Sequence, residues 1–185
     1  CLNDLDYITL SPYVNITVDY LLENKNIDLC FEDTCQKIKN KTNALIGTID
    51  KKYTKYINLI EKTDWSLTPL TKCHGDFTLE NLIVSNNNLY LIDFLDSFIE
   101  SPLADIAKIL FDLRYFWSNR RLRADNNSII KNMYMESMIT SSEVYVRHNR
   151  KINSLLILSI LRILPYTKNR KTISYLEECL SHAAK

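Results

Sequence analysis

The chain has 185 residues, 46% of them hydrophobic and 24% charged, with a formal net charge of +1. That length suits one domain with a sizeable core, burying about 70% of its unfolded surface, and the balanced charge gives nucleic acid or a membrane surface no footing as partner. Only two glycines occur, Gly47 and Gly75, which excludes a Gly-rich phosphate cradle, a dinucleotide fingerprint and a Walker loop within this sequence, since each needs clustered glycines.

In chain order, Tyr7 to Asn15 is β-branched and aromatic with a Pro, and reads as a short strand running into a connector. Thr17 to Asn24 is a short helix. From Phe31 to Lys62, apolar residues fall at Cys35, Ile38, Leu45, Ile46, Ile49, Tyr53, Tyr56, Ile57 and Ile60. A spacing near 3.6 predicts one long amphipathic helix, with Gly47 in its middle. Trp65 to Thr71, with Pro69, leads out of it into Cys73-His-Gly-Asp76. From Asn81 to Asp93, two apolar runs flank the triplet Asn86 to Asn88, and Asn tolerates the left-handed backbone of tight turns, so this is a β-hairpin. With the turn at Asn86 and Asn87, positions summing to about 173 face each other, which sets Asn81 opposite Ile92 and Asp93.

Ser101-Pro102 supplies an N-cap and a first helical residue. The helix that follows puts Leu103, Ile106, Ala107, Leu110, Leu113 and Trp117 on one face. Asn119 to Ser128 is a polar, basic loop. Three helices close the chain: Ile129 to Arg147, Lys151 to Leu164, apolar nearly all round and therefore buried, and Thr172 to Ala184. Nothing repeats, so the fold class is α+β, mostly helical, with a small hairpin at its middle and no second domain boundary.

The five cysteines (Cys1, Cys30, Cys35, Cys73, Cys179) form no Cys-x-x-Cys pair. That suits reduced thiols in a cytoplasm better than a disulfide or zinc framework, and cytoplasmic localisation is the expectation. The longest apolar run, Leu155 to Ile163, is interrupted by Ser159 and Arg162 and stopped by Pro165, short of the ~20 residues that span a bilayer. The sequence opens on Cys1, which suggests a processed or truncated product.

Chemistry concentrates around the hairpin. Asp76, on a loop kept tight by Gly75, lies five residues before Asn81, so two carboxylates (Asp76 and Asp93) and one amide are expected to converge. Oxygen donors without a thiolate or imidazole cluster are what Mg²⁺ prefers, with positions left for water and phosphate oxygens. Accidental loop polarity is the alternative, since turns favour Asp and Asn. Cys73-His74 suggests a nucleophilic thiol or zinc site, but no second Cys/His cluster of zinc-ligand spacing exists, which favours a core or loop role.

The arrangement His74-Gly-Asp-x-x-x-x-Asn81, followed after a hairpin by Ile92-Asp-Phe94, resembles the catalytic core of the aminoglycoside phosphotransferase and choline kinase-like family, whose members share the protein-kinase-like fold. The resemblance is strongest from Cys73 to Asp112 and implies a small-molecule kinase that uses ATP, or another nucleoside triphosphate, with Mg²⁺. By this resemblance Asp76 is the catalytic Asp that orients the acceptor hydroxyl and takes its proton, and Asn81 and Asp93 are the Mg²⁺ ligands. His74 and Asp105 support the catalytic loop. Asp96 meets a second cation or the substrate, a solvent-facing loop carboxylate being its alternative. Among the basic residues after the central helix, Arg114 and Arg121 are candidate anion or substrate contacts, set against a solvated helix end. Leu95 stands where protein kinases have the Gly of Asp-Phe-Gly.

Family members carry an N-terminal lobe with a strand-borne Lys and a phosphate-covering loop. Leu10 to Asn15 resembles the hinge after that lobe. The expected division is therefore residues 1–16 as the remnant of the last N-lobe strand and hinge, and 17–185 as the C-terminal catalytic and substrate lobe. The expected partners are a small-molecule acceptor and the missing N-lobe, whose loss would leave an exposed apolar patch on the hinge side. A sugar, amino alcohol, nucleoside or antibiotic hydroxyl all suit the acceptor role, although the many Arg and Lys of the last third disfavour a polycationic antibiotic. A non-catalytic binding or regulatory module built on a degraded kinase lobe, and a metal-dependent hydrolase, are the other function classes.

Overall fold

The computed structural model describes residues 31–85, 88–120 and 126–185. The strand and helix expected within the first 24 residues, the hinge, the hairpin turn at Asn86 and Asn87, and Arg121 all lie outside the described residues. Among the described residues, helices α1 (Phe31–Ile46) and α2 (Thr54–Glu61) come first, then strands β1 (Leu82–Ser85) and β2 (Asn88–Leu91), then α3 (Pro102–Tyr115), α4 (Asn126–Ser141), α5 (Glu143–Ile163) and α6 (Arg170–Ala183). Among the described residues the architecture is mostly helical with one small antiparallel sheet, as expected.

The single long helix expected from Phe31 to Lys62 is instead two. Its break at 47–50 has local causes. Gly47 contributes little to a helix, the Thr48 hydroxyl donates to the Leu45 carbonyl at 3.1 Å, and the Asp50 side chain accepts from Lys52 N–H at 2.9 Å. Such short-range side-chain bonds compete with the helical ladder. Gly47 thus follows the end of α1 rather than lying mid-helix, and a Cβ there would meet open space.

The C-terminal boundaries also shift. The helix expected to run from Ile129 to Arg147 begins at Asn126, taking in residues assigned to the loop, and ends at Ser141, where Ser142 caps the next helix by accepting from Tyr145 N–H. The expected division near 147–151 survives only as a kink, His148 having non-helical φ −118° and ψ 16° inside α5. Trp117 lies beyond α3, which closes on Phe116 in the left-handed conformation.

Helix α5 is the hub, packing against α1, α2, α3, α4 and α6. Ile152, Leu156, Ile160 and Leu161 are fully buried, joined by Ile57 and Ile60 of α2, Ile106 and Leu110 of α3, and Leu176 and Leu180 of α6. Burial this complete explains why the 151–164 stretch reads as apolar nearly all round. Helix α3 runs beside it, with Ser101 accepting from Leu103 N–H as its N-cap and Pro102 opening the first turn. Among the described residues no helix is long and apolar enough to cross a membrane.

Candidate functional site

The hairpin register pairs Leu82 with Leu91, Ile83 with Tyr90, Val84 with Leu89 and Ser85 with Asn88, the register expected. The pairing runs one residue further, Ile92 N–H donating to the Asn81 carbonyl at 3.1 Å. Asp93 therefore leaves β2 beside Asn81. It does so with φ +58°, a left-handed backbone that Asp tolerates better than most residues and that concentrates at functional sites.

The loop from Cys73 to Asn81 is fixed from three sides. Gly75 has φ +83°, and a Cβ there would lie 2.1 Å from the Leu95 carbonyl oxygen, so no side chain fits this close approach of loop to post-hairpin segment. Leu95 N–H donates to the His74 carbonyl at 2.9 Å, tying the same two segments together. Phe77, fully buried, anchors the loop in the core.

His74 is fully buried. Its Nδ1 accepts from Asp76 N–H at 3.3 Å while Nε2 lies 2.7 Å from the Ile92 carbonyl. A ring nitrogen that accepts from an amide carries no proton, so Nε2 is the donor to Ile92. The ring is flanked by Phe77 (centroids 5.6 Å apart) and Phe94 (4.3 Å). Its placement bridges the loop and the residue before Asp93, and it makes no pair with Cys73. The Cys73 thiol instead donates to the Ile99 carbonyl at 3.7 Å, and burial pushes it up to about 11, which removes the thiolate a nucleophile needs at neutral pH.

Asp105 in α3 accepts from the backbone N–H of His74 at 2.7 Å and of Gly75 at 2.9 Å. Burial raises its proton affinity above the ordinary carboxylate range, opposed by those two donors. One turn on, the Lys108 ammonium lies 2.8 Å from Asp76 Oδ1. Further along, Asp112 is fully buried and accepts from Leu79 N–H at 2.7 Å, from Ser118 N–H at 2.8 Å and from the Ser118 hydroxyl. Asp105, Lys108 and Asp112 are spaced by three and four residues, which sets them along one helix face. Of the three, only Asp105 is among the residues expected from the sequence; the spacing of three and four residues is the signal that marks Lys108 and Asp112 beside it.

Asn81 is buried and its Nδ2 donates to the Asp76 carbonyl at 2.8 Å. That bond fixes the amide orientation and leaves its oxygen, Oδ1, as the remaining group. Asp93 and Asp96 are both exposed. Among the described residues no three His, Cys, Asp or Glu side chains form a group that could hold a metal; the expected set has only two carboxylates, Asp76 and Asp93, with the Asn81 amide as its third donor. The cation that meets Asp76 is Lys108. Asn81 Oδ1 and the Asp93 carboxylate are hard oxygen donors suited to Mg²⁺, a metal that takes few protein ligands and keeps its remaining positions for water and phosphate.

Arg114, read as a candidate anion contact, turns to other partners: its Nε lies 2.6 Å from Glu136 and its Nη2 3.2 Å from the Tyr145 hydroxyl. These bonds tie α3 to α4 and α5. Around the open end of the hairpin an apolar group stands exposed, with Ile83, Tyr90, Ile92, Phe94 and Leu95 each between 37% and 57% accessible.

Residues 41–128 match the family model described as the phosphotransferase enzyme family. The matched stretch contains Asp76, Asn81, Asp93, Asp105 and Lys108, so the resemblance carried by the octapeptide and the hairpin-borne Asp is borne out. No curated protein matches the chain.

Proposed function

We propose, from the phosphotransferase family character of residues 41–128, that this chain is the metal and substrate lobe of an ATP- and Mg²⁺-dependent kinase of a small-molecule hydroxyl. The observation that carries the reading is the stitching of the loop to the hairpin, with Asn81 bonded through its side chain to Asp76 and through its carbonyl to Ile92, next to Asp93. Asp76 is the catalytic residue. It orients the acceptor hydroxyl and takes its proton as the oxygen bonds to the transferred phosphorus.

Asn81 and Asp93 would hold Mg²⁺, which when bound neutralises the nucleotide phosphates. His74 and Asp105 keep the loop in place, one through the Ile92 carbonyl and the other through two backbone donors. The exposed apolar group around Ile83 and Tyr90 suits a nucleobase or a covering lobe. A neutral hydroxyl compound fits the acceptor role better than a polycation, because Lys108 already supplies the positive charge at Asp76.

The test is Mg-ATP turnover by the full-length protein over a panel of sugars, amino alcohols and nucleosides, followed as ADP release with product analysis. Asp76→Ala is expected to lower turnover by about a thousandfold. Equal, nonzero turnover by wild type and variant overturns the role of Asp76, and release of inorganic phosphate without a phosphorylated acceptor marks a hydrolase instead.

A further inference from the structure

Of the three charged residues that α3 lays along the loop, two hold the loop by its backbone and one by a side chain. Asp105 and Asp112 accept from the amides of His74, Gly75 and Leu79, and these bonds already fix the course of the chain. Lys108 lies between them and takes hold of the Asp76 carboxylate by one oxygen, Oδ1, at 2.8 Å. Its side chain is 22% exposed and that of Asp76 32%. The pair is part-buried and so holds one geometry, and since the flanking bonds already fix the backbone, what it adds is the orientation of the Asp76 carboxylate.

A carboxylate rotates about its last bond and offers two equivalent oxygens unless something distinguishes them. Here the ammonium distinguishes them. We propose that Lys108 is the positioning residue of the phosphoryl-transfer base, holding Oδ1 so that Oδ2 is the oxygen that receives the acceptor's proton. The inference rests on the reading of Asp76 given above.

In the transfer step, the acceptor oxygen forms its bond to the γ-phosphorus. The bond from that phosphorus to the bridging oxygen breaks, and its electron pair leaves with the nucleoside diphosphate. The hydroxyl proton passes to Oδ2. Protonation removes the charge on Asp76 and weakens its attraction to Lys108, which frees the carboxyl to turn and lose the proton to solvent before the next cycle.

The experiment compares wild type, Lys108→Met, Lys108→Ala and Asp76→Ala of the full-length protein, using Mg-ATP and the best acceptor of the panel, or water if none exceeds it. Lys108→Met is expected to lower kcat by about a hundredfold, the scale of a misplaced reacting group, while the KM for Mg-ATP stays within twofold. The unfolding midpoint should stay within about 4 °C. Added methylammonium should restore part of kcat to Lys108→Ala and none to Asp76→Ala.

Wild-type kcat in Lys108→Met overturns the proposal, as does a raised KM for Mg-ATP at unchanged kcat, which makes Lys108 a nucleotide contact. Unfolding of both Lys108 variants at the assay temperature also overturns it, making the residue structural. Absence of turnover in wild type, or full turnover in Asp76→Ala, shows instead that the reading of Asp76 fails. An inactive Asp76→Ala beside a fully active Lys108→Met overturns the positioning role alone.

Discussion

Gly75 is where the loop admits no substitute. A side chain there must adopt φ +83° and would enter the Leu95 carbonyl at 2.1 Å. Gly75→Ala is expected to destabilise the fold by about 1–3 kcal/mol from the backbone strain alone, with a further loss as Leu95 is pushed off the His74 carbonyl, both read by urea unfolding. Leu95 itself escapes any such demand, because it contributes its backbone to this approach. The cysteines give a second residue-level prediction. Burial raises the Cys73 and Cys179 thiols from 9.0 to about 11. Between those values the folded protein holds protons that the unfolded chain has released, so stability falls as pH rises from 9 towards 11. Denaturant midpoints measured across that range should decline, and the decline should be smaller in a Cys73→Ser, Cys179→Ser double variant.

At the scale of the element, α3 serves as both a core helix and a template for the loop. Its apolar residues, among them Ile106, Leu110 and Leu113, are fully buried, while Asp105, Lys108 and Asp112 follow the loop from His74 to Leu79. Asp105→Ala leaves one buried and one part-buried amide donor unpaired and is expected to cost about 3 kcal/mol, measured by urea unfolding, and to lower turnover along with stability. The hairpin and α3's start were legible in the sequence because their signals are local. An Asn triplet between apolar runs sets the register, and Ser101-Pro102 marks the cap. The division of the 31–62 stretch and the Ser141–Ser142 boundary were not legible from periodicity, because apolar spacing continues across both while side-chain hydroxyls close one helix and the N-caps Asp50 and Ser142 open the next helical segment.

At the scale of the molecule, α5 holds the other helices together. Leu156→Ala, at a fully buried position of that hub, is expected to cost about 2–5 kcal/mol of stability, measured by urea unfolding, without selectively lowering kcat in the fraction that remains folded. The sequence by itself determined the mostly helical class, the hairpin with its register, and the spacing of Asp76, Asn81 and Asp93, since each follows from residues a few positions apart. Only the tertiary structure decided what those residues meet. Lys108 lies 32 positions from Asp76 and Asp112 lies 33 from Leu79, and neither contact exists until α3 docks beneath the loop. The packing of α4 against α3 likewise sets Arg114 beside Glu136. Local preference acts over a turn or two of chain, whereas the partner of a charge is chosen by packing across the whole core.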